Sequence, residues 1–424
     1  MANSISRRDM LKSGAALAVG ATAGLYAPYV KAQSKLLSMI VFGPNQKAIE
    51  WLTGALAAFK AEQGYDVELR QSPWGSAFQR VLTAAASGTL PDVTMMGQVM
   101  TPVLASRGAF LPIDDRLAGW SETDKFYQPM LKDGMYDGKS YALPIYADVR
   151  TSVYRSDLLE QVGVGADALP ATWDDFKAVA RKLSKKNGGP LDAPFFPNQD
   201  TSVGLMQTFS QLFYQAGGRF FDANGKSVLS SDSGVQALEY LVSFFTEGLA
   251  NPNLIYRGTG ARPLVQGIAG MALSGVFDDQ NAAQNDPAVK KFITAGAPLK
   301  KDAAANPTTI AWIAKLGIGA NTKDPDGAWA LMSYLTSKAS SEKFAEYWGA
   351  LPARSDLTDA PFLGGLSSGF VEATKYADAL PTSPNLVQIQ SEINTAMQAA
   401  IRESGGAAQI LAELDAKIDK INGV

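Results

Sequence analysis

The 424-residue chain contains no cysteine and no histidine. Without cysteine it can form no disulfide, carry no thiolate nucleophile and offer no thiol for a lipid anchor. Without histidine, Ser-His-Asp and Cys-His nucleophile systems, His-Glu metalloprotease motifs and the commonest zinc ligand are all excluded. No metal or cofactor is expected, and only carboxylates remain for acid–base chemistry. A run long enough to span a membrane is also missing. The weakly apolar stretch from Ser13 to Ala27 falls short of the roughly 20 residues such a helix needs.

That stretch belongs to residues 1–32, which read as an export signal. Ser6-Arg7-Arg8-Asp9-Met10-Leu11-Lys12 precedes it, and Val30-Lys31-Ala32 places small residues where a signal peptidase cuts. The arginine pair resembles the twin-arginine export signal, with Met10 where that pattern prefers Phe. An ordinary secretory signal with a charged start is the alternative. Removing residues 1–32 takes four basic residues (Arg7, Arg8, Lys12, Lys31) and one acidic residue (Asp9) from 38 and 41. That leaves 34 and 40, a net charge of −6. Such a mildly acidic chain has no electrostatic case for nucleic acid or an anionic membrane. A soluble periplasmic monomer is expected. Its 392 residues exceed the size at which a single core usually stops growing, so two domains are expected.

Short strand-like runs alternate with helical ones. Leu36 to Phe42, Asp66 to Arg70 and Asp92 to Met96 read as strands, separated by helices over 48–63 and 78–87. This order implies a parallel sheet with helices on its faces. Further on, Thr172 and Asp175 fit a capping box opening a helix through Leu183. Asp324-Pro325 fits a cap followed by proline in the first turn of a helix through Leu335. Ala407 to Ile421 closes the chain as an amphipathic helix. No internal repeat is present.

The adjacent carboxylates Asp114-Asp115, Asp174-Asp175 and Asp278-Asp279 are the enzyme-like features. Neighbouring residues point apart on a strand and do not face each other on a helix, whereas a hydrolytic pair must flank one bond. Capping explains Asp174-Asp175, and a turn after Pro112 explains Asp114-Asp115. Asp278-Asp279 keeps a reading as ligand contacts. Aromatics carry more. Trp74, Tyr146, Phe277 and Trp312 all lie in or just after strand-like runs. Ligands in open α/β sheets sit beyond strand ends, and aromatic faces suit the apolar faces of sugar rings.

Tyr136 to Pro144, Val153 to Leu159 and Pro170 to Phe176 form a run that resembles the extracellular solute-binding proteins of ABC sugar importers, the family that includes maltodextrin-binding proteins. Ala86 to Val93, Ala216-Gly217-Gly218 with Asn224-Gly225-Lys226, Gly267 to Phe277 and Thr322 to Trp329 agree in order. The resemblance implies an α/β periplasmic-binding-protein-like clamshell of two lobes joined by hinge crossings. The lobes would be residues 33–146 with 316–359 and residues 147–315 with 360–424. It implies that Asp148 accepts sugar hydroxyls, that Phe277 stands where relatives usually carry Trp, and that Trp312 lies at the second crossing. Asn45, Gln46 and Gln98 fall in cleft loops, and Arg354 matches a frequently basic position. The partners implied are a small-molecule sugar and the permease subunits of an inner-membrane ABC transporter.

A clamshell needs no catalysis: solute bridges the lobes and stabilises the closed state by its extra contacts there. Three readings follow. The first is a sugar or polyol receptor. The second is a receptor for an anionic sugar derivative, a phosphate or sulfonate, with Arg150, Arg257, Arg262, Lys315 and Arg354 and the helix start after Pro44 supplying charge and donors. The third is a carboxylate glycosidase.

Overall fold

Strand β1 (Lys35–Phe42) is apolar in its second half, where five of its last six residues are buried. Gly43 ends it at φ 63°, and a Cβ there would lie 2.2 Å from the Trp74 ring. Asn45 then caps the helix Gln46–Gln63, its Oδ1 accepting from Ala48 N at 2.9 Å, which satisfies one otherwise orphaned amide. The computed structural model describes residues 35–424 apart from 200–202, 258–259, 382 and 403–404. The export signal expected at residues 1–32 lies outside the described residues.

Strands β2 (Tyr65–Ser72) and β3 (Val93–Met96) flank β1, and both pair with it in parallel, as the alternating pattern implies. A small hairpin of β4 (Met135–Tyr136) and β5 (Lys139–Ser140) leads into β6 (Ala142–Val149). After Arg150 the chain passes to a second sheet as β7 (Thr151–Arg155), followed there by β8 (Phe195–Phe196), β9 (Met271–Ser274) and β10 (Ile293–Ala295). It returns as β11 (Thr309–Ile318), β12 (Leu351–Pro352) and β13 (Ala377–Ala379).

The larger sheet has the order β12-β6-β11-β3-β1-β2, with β13 pairing β11; the smaller is β10-β7-β9-β8. This is a mixed α/β, two-lobe fold. Apolar burial follows the same division. One core surrounds β1, β3 and the helix Pro325–Leu335. Another unites the helices Trp173–Leu183, Gly204–Gln215, Asp232–Thr246, Leu386–Ala400 and Ala407–Asn422. A third cluster includes Ala147, Val149, Val153, Ala272 and Ile313, drawn from strands of both sheets.

The capping box at Thr172 and Asp175 is present. Asp324 caps the helix Pro325–Leu335 through Gly327 N at 2.9 Å. Asp114 and Asp115, expected in a turn, instead open the short helix Asp114–Ala118, and Asp114 accepts from Ser140 N at 3.1 Å. Carboxylates are favoured at a helix start, where unpaired amides concentrate positive charge.

Candidate functional site

The pairing of β6 with β11 builds the centre of the site. In register, Trp312 faces Asp148 and Ala314 faces Tyr146, and an irregularity between Ala314 and Lys315 shifts the ladder below them. Trp74, Gln98, Tyr146, Asp148 and Trp312 line one cavity of about 400 Å³, together with Phe78, Arg150, Gln207 and Gln390. Five of the ten residues singled out in the sequence therefore converge. Trp74 lies in the short turn Trp74–Ser76, about a third exposed, its ring 5.6 Å from that of Phe42.

Polar atoms in this wall are buried without partners. They are Gln98 Oε1, Asp148 Oδ1, Trp312 Nε1 and Gln390 Nε2. A buried polar atom left unpaired costs about 1–3 kcal/mol, so a set of them around one cavity marks where a polar ligand would be held. Asp148 Oδ2 lies 3.1 Å from Arg150 Nη2. Burial pushes the Asp148 carboxyl above the usual range, against the opposing pull of Arg150 and Arg262. Beneath Gln98, Lys315 and Asp133 form an ion pair with both side chains fully buried, and Lys315 Nζ also lies 3.4 Å from the Gln98 carbonyl oxygen.

The other five residues lie elsewhere. Phe277 lines an adjoining cavity with Tyr256 and Arg262. Asp278 is 1% exposed and accepts from Arg262 Nε at 2.6 Å, so it supports that arginine and lines none of these cavities. Asn45 and Gln46 line a third cavity of about 500 Å³ with Tyr347 and Gln280. Asn45 is already engaged at both ends, its Nδ2 donating to the Tyr347 carbonyl at 2.6 Å. Arg354 is 1% exposed, with Nε and Nη2 on Asp356, Nη2 also on Glu122, and Nη1 on the Thr336 carbonyl. Its guanidinium is spent within the protein, which corrects its placement as a ligand contact.

The same accounting weighs against an anionic ligand. Arg150 sits against Asp148, Arg262 against Asp278, Lys315 against Asp133, and Arg354 against Glu122 and Asp356. Arg257 is exposed and lines none of these cavities. One carboxylate, Asp148, lines the aromatic cavity, whereas glycoside hydrolysis takes two. Among the described residues no group of three or more acidic side chains is placed to hold a metal ion, and no helix is long and apolar enough to cross a membrane.

Sequence reasoning missed Phe78, Gln207 and Gln390. Gln207 carried a usable signal. Its helix, Gly204–Gln215, has no charged residue, and eleven of its twelve residues are buried, Gln207 being the exception. Gln390, on the helix Leu386–Ala400, reaches the cavity only because that helix packs on the Gly204–Gln215 helix, a contact no local pattern announces.

Residues 43–342 match the family described as bacterial extracellular solute-binding protein. The chain belongs to that family. A binding protein of Brucella abortus is 25% identical over 377 residues, 86% of this chain and 88% of its own length. The arabinooligosaccharide-binding protein of Bacillus subtilis is 30% identical over 120 residues, 28% of this chain and 26% of that protein. The structure of the sugar-binding protein MalE from Xanthomonas citri superposes with a TM-score of 0.79 at 21% identity, covering 92% of this chain and 98% of that one. The solute-binding family and the two-lobe fold expected from the sequence are thus both present.

Proposed function

We propose that this solute-binding protein is the periplasmic receptor of an ABC importer, that it captures a neutral sugar or polyol between its lobes, and that it delivers the solute to the membrane permease. The observation that carries the reading is the cavity in which Trp74, Tyr146 and Trp312 share walls with unpartnered buried groups of Gln98, Asp148, Trp312 and Gln390. Sugars have apolar ring faces that suit aromatic side chains, and hydroxyls that both donate and accept. Amides, a carboxylate and an indole N–H supply the complementary partners. The local likeness to an arabinooligosaccharide-binding protein supports the same class.

The lobes are proposed as residues 33–146 with 316–359 and residues 147–315 with 360–424, shifted so that 147–149 and 309–315 count as strand residues of the larger sheet. Solute touching both lobes would favour the closed state by its extra contacts there, and that shape would be what the permease reads. Binding both states equally would signal nothing. A thermal-shift screen over neutral sugars, alditols and their phosphate derivatives tests the reading, followed by small-angle scattering of the monomer with the best binder. A neutral sugar or alditol should raise the melting temperature and lower the radius of gyration. Stabilisation by phosphate derivatives alone would overturn it.

A further inference from the structure

Two cavities adjoin near where the chain crosses between the sheets, Arg150 of one lining standing by the Phe277 ring of the other. The aromatic cavity holds about 400 Å³ and the Phe277 cavity about 360 Å³, and they share no lining residue. A single layer of side chains separates them. Asp148 and Arg150 belong to the first wall, Phe277 and Arg262 to the second. The Arg150 guanidinium stands 4.7 Å from the Phe277 ring centroid and that of Arg262 4.5 Å from the same centroid. Asp148 closes one end of the row at 3.1 Å from Arg150, and Asp278 the other at 2.6 Å from Arg262. Carboxylate, guanidinium, ring, guanidinium and carboxylate alternate, so each cation has both an anion and a π face. The layer also abuts backbone: a Cβ on Gly275 would come within 2.4 Å of Asp148 Oδ1 and 3.0 Å of Phe277.

We propose that this layer is a wall that fixes the length of the bound solute, limiting it to one or two sugar rings or an alditol of that size. The inference rests on the sugar-receptor reading above. Two guanidinium groups stand near the Phe277 ring and compete with a sugar for it, and the aromatic surfaces of Trp74 and Trp312 line the other cavity. A cavity of about 400 Å³ is near the lower end of the roughly 300–1,000 Å³ of small-molecule sites. A chain growing toward the Phe277 cavity would have to push through the wall, separating Arg150 from Asp148 in a buried setting.

Calorimetry on the mature protein tests this with chain-length ladders. Glucose, maltose, maltotriose and maltohexaose form one. The corresponding gluco-β-1,4, xylo, arabino and manno series are run beside it, with mannitol and glucitol. In the series that binds, affinity should peak at one or two rings and fall at least tenfold at three. Tighter binding at three rings or more would overturn the wall while leaving the receptor reading intact. No binding by any sugar or alditol would overturn the receptor reading and the wall with it. Phe277→Ala, with Phe277→Leu as the milder variant, should narrow the preference for short over long chains at least fivefold. An unchanged preference in a folded variant would refute the proposal.

Discussion

Trp312→Phe separates a ligand-binding tryptophan from a structural one, because the indole N–H is buried and unpartnered. A core tryptophan in this setting would ordinarily have its N–H bonded, as Trp173 does to Gln215 at 2.8 Å and Trp348 to the Phe42 carbonyl at 2.9 Å. Removing the Trp312 N–H therefore breaks no bond in the unliganded protein. It relieves an unsatisfied donor whose burial costs about 1–3 kcal/mol. The smaller ring leaves a gap on the cavity side. The melting temperature without ligand should accordingly hold or rise. If solute hydroxyls accept from Nε1, the variant should lose about 1 kcal/mol of binding, roughly fivefold in Kd. Trp312→Ala removes the platform as well and should cost about 2 kcal/mol or more, on the order of thirtyfold. Its effect on unliganded stability should stay well under the ~3–5 kcal/mol of a fully buried tryptophan, since the ring is half-buried. Calorimetry with the best neutral ligand and differential scanning fluorimetry without it give both quantities. A Phe variant that melts lower yet binds unchanged would show that the ring is core and that the site lies elsewhere.

Asp148 titrates above the usual aspartate range because of burial, so affinity should fall on acidification at a higher pH than an ordinary aspartate near 4 would dictate. The sign for stability is opposite: a raised folded pKa means the folded state holds the proton more tightly, so acidification relieves the penalty of the buried charge. Asp148→Asn should bind more weakly at neutral pH and flatten the affinity profile between pH 4 and 7, as calorimetry across that range would show. Arg354→Gln removes the partner of two partly exposed carboxylates, Glu122 and Asp356, and should cost about 1–2 kcal/mol by denaturant unfolding, with little change in Kd. A large loss of affinity without loss of stability would restore it to the site. Changing Arg7 and Arg8 to Lys should strand precursor in the cytoplasm on a fractionation blot, and normal export would favour the ordinary secretory route.

Local patterns were enough for the elements. Thr172 and Asp324 each cap the helix that their side chains predicted, because capping involves groups only a few residues apart; the cap at Asn45, read in the sequence as a ligand contact, was missed. The alternation of β1, β2 and β3 with helices pointed to parallel pairing because a helix between two strands carries the chain back to run in the same direction. The aromatics at strand ends named Trp74, Tyr146 and Trp312, three of the cavity's fifteen lining residues. What stayed hidden was long-range. Trp312 meets Asp148 only because β11 returns antiparallel beside β6, and Gln390 enters the cavity from a helix that comes after the last strand. Charge was the least legible property. In the sequence Arg150, Arg262, Lys315 and Arg354 are four cations available to an anion. In the fold each is matched to a carboxylate, Asp133 and Glu122 coming from far along the chain. A buried cation must find a partner to fold at all, and which carboxylate it finds is decided by packing.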